Sequence, residues 1–279
     1  KHAAIAHKIS ELAANAFATE AMVRYTSALV DADKNADIRL EAALAKLWGT
    51  EAAWVAVDQT MQTKGGRGYE TAQSLKNRGQ KPDPIERMLR DCRINLIFEG
   101  SSEIMYLFIA REMLDPHLRA AGAVLDSRKS LSERGTAAIK AGFYYLNWYP
   151  KRYLPGLAKM PNSMDSRIHA RMQRIGSLSQ KLSRCILHNM ARHGPKLERE
   201  QRLLSRLVNI GAELFAMACA NGQAQSILKN GTDAEARQAI DTSGYIQIRG
   251  EHRIAAYFRD LHAPMDQPGY RLAQSLLKE

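Results

Sequence analysis

Apolar residues recur at helical intervals through most of the chain. Ile5, Ile9, Leu12, Ala16, Val23 and Val30 follow one another at steps of 4, 3, 4, 7 and 7, and Leu40, Leu44, Leu47, Trp54 and Met61 at 4, 3, 7 and 7. No proline occurs before Pro82, and Gly49 is the one glycine in the first 64 residues. This pattern predicts two long amphipathic helices separated by the polar stretch Asp31–Asp37. A third helix is predicted to open at Ser101 or Ser102, where a serine hydroxyl can accept from free backbone N–H groups, and to end near Leu114, ahead of Pro116.

The second part repeats the pattern. Ile168, Met172, Ile175, Leu182, Ile186 and Met190 precede a stop at Gly194-Pro195, and Leu203, Leu207, Ile210, Leu214 and Met217 open a further helix. That helix is expected to run to Lys229, with Asn230-Gly231 at its C-terminus, although Asn221-Gly222 interrupts it. A last long helix is expected from Thr232 or Asp233 to about Leu261. No alternation of period two marks a strand, so the fold class expected is all-α, built as antiparallel helical bundles. The least regular stretch is Leu125–Ser163, with Pro150, Pro155 and Pro161. It gathers Phe143, Tyr144, Tyr145, Trp148, Tyr149 and Tyr153, flanked by Lys140, Lys151 and Arg152.

Composition narrows the classes. With 279 residues, 45% hydrophobic and 25% charged, the chain has enough apolar material for a core and is neither a disordered tail nor a fibre. The three cysteines Cys92, Cys185 and Cys219, odd in number and scattered, argue for a reducing compartment. No uninterrupted apolar run reaches the about 18 residues of a membrane span. The chain starts at Lys1 inside a helical pattern, so the natural N-terminus is expected upstream. Charge is unevenly placed. Residues 1–115 hold 15 Lys and Arg against 16 Asp and Glu, whereas residues 116–279 hold 25 against 13, so the whole net charge of +11 belongs to the second part. This divides the chain into a domain at 1–115 and a basic one at 116–279. No C-x-x-C, H-E-x-x-H or Glu-x-x-His pair is present, so no metal site is expected, and there is neither a G-x-S-x-G elbow nor a P-loop.

Two local features go beyond a plain bundle. In Gln62–Tyr69 (QTKGGRGY), three glycines in four residues permit close backbone approach to a ligand, or simply end a helix. In Arg90–Ser102 (RDCRINLIFEGSS), the carboxylate Glu99 follows the bulky Ile97 and Phe98 and precedes a helix start. It is either an acid placed to suit the helix dipole or a general base whose proton affinity is raised by partial desolvation. Arg90 and Asp91 suggest a buried ion pair.

In this order and spacing, the motifs Gln62–Tyr69, Glu86–Ser101 and Ala110-Arg111-Glu112 resemble the C-terminal helical domain of the acyl-CoA dehydrogenases, over roughly residues 1–115. The resemblance implies that Glu99 is the base that removes the α-proton of an acyl-CoA thioester while the β-hydride passes to FAD. It implies that Phe98 lines the acyl pocket, that Gln62 and Gly66 contact the FAD of a neighbouring subunit, and that Ser101 and Glu103 contact FAD in their own. Glu103 stands where many relatives carry glutamine, and an ionised acid cannot donate the same hydrogen bond. The link Thr71–Pro84, with Lys76, Arg78 and Lys81, is longer and more basic than usual and reads as a solvated loop or an anion contact. The family's N-terminal helical and β domains, which supply most of the flavin site, lie outside this sequence. The chain is therefore expected to be the C-terminal portion of a larger flavoenzyme and inactive alone.

An added helical domain resembles the very-long-chain branch of that family, and Leu203–Ala218 looks like the corresponding segment. The implied activity is oxidation of long-chain acyl-CoA in fatty acid β-oxidation by a homodimer or other homo-oligomer, with electron-transfer flavoprotein as acceptor. The implied location is the bacterial cytoplasm or a membrane periphery, or the mitochondrial matrix in a eukaryote. The aromatic and basic residues of 140–184 suit an anionic membrane surface, or pack within the protein. Arg167, Arg171, Arg174, Lys181 and Arg184 form a cationic stripe with few acids near in sequence. The alternatives are a nucleic-acid-binding flavoprotein of the alkylation-response type, or a non-catalytic membrane or dimerisation module. Glu99, Gln62 and Gly66 together favour the enzyme, and nucleic acid is not the expected partner.

Overall fold

A computed structural model describes residues 2–126, 128–154, 160–161 and 163–277. Pro155 lies outside them. Every regular element among the described residues is helical, in accord with the all-α reading. The long helices are α1 (Ala3–Ala32) and α2 (Arg39–Lys64), joined across the polar break. Three short ones follow: α3 (Gly66–Tyr69), α4 (Ala72–Asn77) and α5 (Ile85–Arg93). A 3-10 turn at Ile94–Leu96 then leads to α6 (Ser102–Leu125). The remainder comprises α7 (Leu131–Trp148), α8 (Ser166–His193), α9 (Gln201–Asn230), α10 (Asp233–Arg259) and α11 (Asp266–Leu276). The chain folds into two compact units, residues 1–106 with 215–249 and residues 107–214 with 250–279, so α6, α9 and α10 each contribute to both.

In the first unit, α1 and α2 pack together through small side chains. Ala14, Ala18, Ala21 and Met22 of α1 are buried with Ala43, Leu44, Leu47 and Ala52 of α2. A Cβ at Gly49 would meet the Thr19 methyl at 3.3 Å, so a glycine is what allows the helices this approach. The apolar stripe expected on α1 is therefore displaced. Ile9 and Val23 are 56% and 51% exposed, and the alanine seam takes the core position. α10 braces α1: Arg249 donates to the Glu11 carboxylate and to the Asn15 side chain, both at 2.7 Å.

The second unit contains the better-predicted helices. Ile168, Ile175, Leu182 and Ile186 on α8 are buried, as are Leu203, Leu207, Ile210 and Leu214 on its portion of α9. Among the described residues, α9 is the one helix long and apolar enough by length and composition to cross a membrane, with mean hydropathy 1.4. Of its apolar window 72% is buried inside the chain, which is the signature of a core helix. It runs straight through Asn221-Gly222, because the Asn221 amide turns inward to donate to the Met217 carbonyl.

Two expectations about helix extent are overturned. α6 does not stop before Pro116 but continues to Leu125. Proline forfeits one backbone hydrogen bond, but the next residue, His117, is buried against Tyr145 and Trp148 of α7, with ring centroids 5.9 and 4.9 Å away. Its Nδ1 lies 3.1 Å from the Tyr145 hydroxyl. The stretch 125–163, read as irregular, contains α7. Its start is fixed by a reciprocal cap: the Ser130 hydroxyl accepts from the Glu133 N–H while the Glu133 carboxylate accepts from the Ser130 N–H.

Replacing Leu47 by Ala empties a buried position at the α1–α2 contact and is expected to destabilise the first unit by about 2–5 kcal/mol, read as a lower urea midpoint at unchanged slope.

Candidate functional site

The second helix carries the first candidate motif at its end and packs against the second. Its last turn presents Gln62, after which Gly65 turns the chain at φ +63° into the single turn α3. Gln62 and Gly66 are exposed, and a Cβ at Gly66 would meet nothing within 4 Å, so the turn leaves room for a ligand at Gly66, while the Gly65 and Gly68 N–H groups donate to the Gln62 and Gly65 carbonyls. Gly68 differs: its Cβ would sit 2.7 Å from the Met61 carbonyl, so this glycine is required by packing on α2.

Farther back along α2 lies the turn that carries Glu99. α5 and the 3-10 turn pack on α2, with Cys92 and Leu96 buried and the Arg93 guanidinium 5.4 Å from the centre of the Trp54 ring. Glu99 then adopts φ +50°, a left-handed conformation it shares with no other described non-glycine residue, and Gly100 follows at φ +96°. A glutamate gains nothing locally from that conformation, which costs roughly 1–2 kcal/mol. The turn is held from α2: the Lys46 ammonium donates to the Gly100 carbonyl at 2.5 Å, and the buried Ser102 hydroxyl donates to the Glu51 carboxylate at 2.5 Å. Neither Lys46 nor Glu51 is marked by any sequence motif, because what distinguishes them is a contact spanning more than 50 positions.

Glu99 itself is exposed, and Ile97 and Phe98 stand 52% and 46% exposed, so the desolvation expected from these neighbours is not supplied within this chain. Ser101 is half-buried at the entrance to α6, where its hydroxyl lies 3.5 Å from the Ile104 N–H. The backbone amide of Glu103 and the Ser101 hydroxyl hold the Glu103 carboxyl below the usual carboxylate range. Ionised, it accepts hydrogen bonds and donates none.

Three further expectations change. Arg90 and Asp91 do not form a buried pair: Arg90 meets Glu86 at 2.8 Å and Asp91 meets Arg87 at 3.4 Å, both across one exposed turn of α5. Adjacent residues point to different sides of a helix, whereas residues four apart are neighbours. The basic link 71–84 is largely self-compensated. Arg78 pairs with Glu70 at 2.7 Å, and Lys64 and Lys81 pair with Asp83 at 2.6 and 3.2 Å, which lowers the Asp83 pKa. These last three, with Arg67, Gln80 and Leu75, edge a surface pocket of about 340 Å³. The cationic stripe of α8 is likewise engaged within its unit: Arg167 pairs with Asp165, Arg174 with Glu251 at 3.1 Å, Lys181 lies over Phe258, and Arg184 lies over Tyr153 and donates to the Arg152 carbonyl. Glu251 and Phe258 come from α10, far away in sequence, whereas Asp165 and Tyr153 precede α8. Among the described residues, no cluster of three or more His, Cys, Asp or Glu side chains suits a metal ion.

The sequence and the all-helical fold resemble those of known proteins. Residues 1–114 match the family described as "Acyl-CoA dehydrogenase, C-terminal domain". Across its full length the chain is 41% identical to the probable acyl-CoA dehydrogenase FadE10 of Mycobacterium tuberculosis and of Mycobacterium bovis, of which it spans 43%. It is 28% identical over 81% of its length to the human and bovine mitochondrial very long-chain specific acyl-CoA dehydrogenases, spanning 33% of each. The fold is similar to that of an acyl-CoA dehydrogenase from Bacillus anthracis solved in complex with FAD, at a TM-score of 0.63 and 21% identity, covering 91% of this chain and 40% of that one. The chain thus spans less than half the length of these relatives.

The conformation of Glu99 has a thermodynamic consequence. Glu99→Gly is expected to raise stability by about 0.5–1 kcal/mol, since glycine relieves the left-handed strain at a smaller entropic cost. Gly100→Ala is expected to lower it by about 1–3 kcal/mol, because φ +96° is closed to alanine and its Cβ would stand 2.8 Å from the Met105 sulfur. Thermal unfolding of the two variants checks both signs.

Proposed function

We propose that this chain is the C-terminal portion of an FAD-dependent acyl-CoA dehydrogenase that introduces an α,β double bond into acyl-CoA thioesters, with Glu99 as the general base. The observation that carries this reading is a carboxylate held in an unfavourable backbone conformation and presented to an open surface, within the segment that matches the family. Strain of this kind persists where the surroundings over-determine it, and it clusters at functional sites.

In this reading the Glu99 carboxylate takes the α-proton of the thioester, and Phe98, half exposed beside it, contacts the acyl chain. FAD supplies the acceptor for the β-hydride. The residues present suit FAD in part: Ser101 and Glu103 offer a hydroxyl and an acceptor beside the base, while Gln62 and the turn at Gly66 form a second, open set. Glu103 serves as acceptor only, in keeping with its lowered pKa. Ser102, between Ser101 and Glu103, is held by Glu51, and eleven residues separate Glu51 from Gln62, about 17 Å along a helix. The two sets therefore do not converge on one point, and this separation supports assigning Gln62 and Gly66 to the FAD of a neighbouring subunit in a homo-oligomer.

The division at 115/116 is proposed as the boundary between this catalytic-type domain and a helical extension of the very-long-chain kind, and long acyl chains are the proposed substrates. Electron-transfer flavoprotein is the proposed acceptor of electrons, and the bacterial cytoplasm or mitochondrial matrix the proposed location. An anionic membrane surface is the proposed partner of the extension. Leu131, Ile139, Phe143 and Leu146 line one exposed side of α7 near Lys140, a combination that suits headgroup depth. Nucleic-acid binding is the weaker alternative, since the arginines of α8 are engaged with acids and rings of their own unit.

Glu99→Gln in the full-length enzyme is expected to lower dehydrogenation by about 10²–10⁴-fold while FAD remains bound, as followed by acceptor reduction and flavin absorbance. Turnover like that of the wild type refutes the assignment. For the extension, flotation with vesicles containing anionic lipid is expected to carry the protein at low salt and to weaken at high salt. A salt-dependent DNA gel shift without flotation would favour the alternative.

A further inference from the structure

We infer that Lys46 and Glu51 of α2 are positioning residues for the base: they hold the turn from which Glu99 acts. The inference rests on the reading of Glu99 as the base and adds residues that no motif of the chain marks. Glu99 and Gly100 have successive positive φ values of +50° and +96°. For the glutamate this is a conformation that an isolated chain leaves, so something outside the turn must select it. Two contacts from one helix do so. The Lys46 ammonium donates to the carbonyl of Gly100, the residue immediately after the base. The Glu51 carboxylate accepts from the hydroxyl of Ser102, the first residue of α6. On the other side of Glu99, the 3-10 turn is anchored by buried Leu96. The backbone is pinned on both sides while the Glu99 side chain is left exposed.

The pattern of charges is specific. Lysine meets a carbonyl and glutamate meets a hydroxyl, both charge-assisted hydrogen bonds, which are stronger and shorter than neutral ones. Both contacts start from half-buried positions on α2, the helix packed along its length against α1. A rigid rail therefore sets the backbone position of a residue whose catalytic usefulness depends on placement to within about 1 Å. Glu51 and Lys46 touch neither substrate nor cofactor in this account, and they act through the turn.

The test uses the full-length, FAD-loaded enzyme and an acyl-CoA analogue whose β-carbon is replaced by sulfur. That compound cannot be dehydrogenated but still exchanges its α-protons with D₂O, so exchange reads the base without hydride transfer. Lys46→Met and Glu51→Leu are expected to slow α-exchange by about tenfold or more, with analogue affinity, FAD occupancy and thermal midpoint close to wild type. Lys46→Arg and Glu51→Gln, which keep a donor and an acceptor, are expected to restore most of the rate. In a Glu99→Gln background, Lys46→Met is expected to add no further loss, because residues that act as one unit are not additive. Exchange at the wild-type rate in both Lys46→Met and Glu51→Leu overturns the inference, as does an equal loss in the Glu99→Gln background. If one variant does not fold, the other decides alone. Should Glu99→Gln itself exchange like wild type, the base assignment fails, an outcome distinct from failure of the positioning role.

Discussion

Much of this chain's organisation follows from the need to keep a glutamate in a conformation that glutamate disfavours. Glu99 and Gly100 bend the chain between a 3-10 turn and α6; glycine suits its half of the bend, but neither the local sequence nor the exposed surroundings stabilise Glu99 in it. The stabilisation comes from α2, through Lys46 and Glu51, and α2 is in turn fixed by close packing on α1. That packing needs small residues: an alanine seam on one helix and Gly49 on the other, with the Glu11–Arg249 pair bracing α1 from α10. The path from core to site is short and passes through one helix.

The same helix links the two motifs, which are far apart in sequence. Its end is capped by Gly65 and opens into the exposed glycine turn, and its middle carries the contacts to the turn that bears Glu99. In the second unit, charge is handled differently. Arg174, Lys181 and Arg184 of α8 look unpaired in sequence but meet Glu251 and the rings of Phe258 and Tyr153 respectively. An apolar side of α7 also faces outward there, with Phe143 and Leu146 exposed.

The helical class, the main breaks and the candidate residues were legible in the sequence because they depend on local patterns: period, turn residues and a motif spacing. The buried stripes of α8 and α9 match their periodicity, since aliphatic side chains fill those cores. The stripe on α1 does not, because close helix contact selects alanine over isoleucine and valine. α7 was hidden by its exposed apolar residues and neighbouring prolines, although the Ser130–Glu133 cap was there to be read. Helix α6 outran Pro116 because burial of His117 outweighs one lost hydrogen bond. Lys46 and Glu51 lay beyond local reading altogether, their role being defined only by partners more than 50 residues away.

The central claim, that Glu99 is the group poised over the α-carbon of a bound acyl-CoA, is tested most directly by covalent labelling. A 2-alkynoyl-CoA isomerises to an electrophilic allene when an active-site base removes its γ-proton, and the carboxylate nearest the reactive carbons then adds to it. After inactivation of the full-length enzyme, digestion and mass spectrometry are predicted to place one acyl-CoA adduct on the peptide containing Glu99. An adduct on a different residue, or inactivation with Glu99 unmodified, contradicts the account.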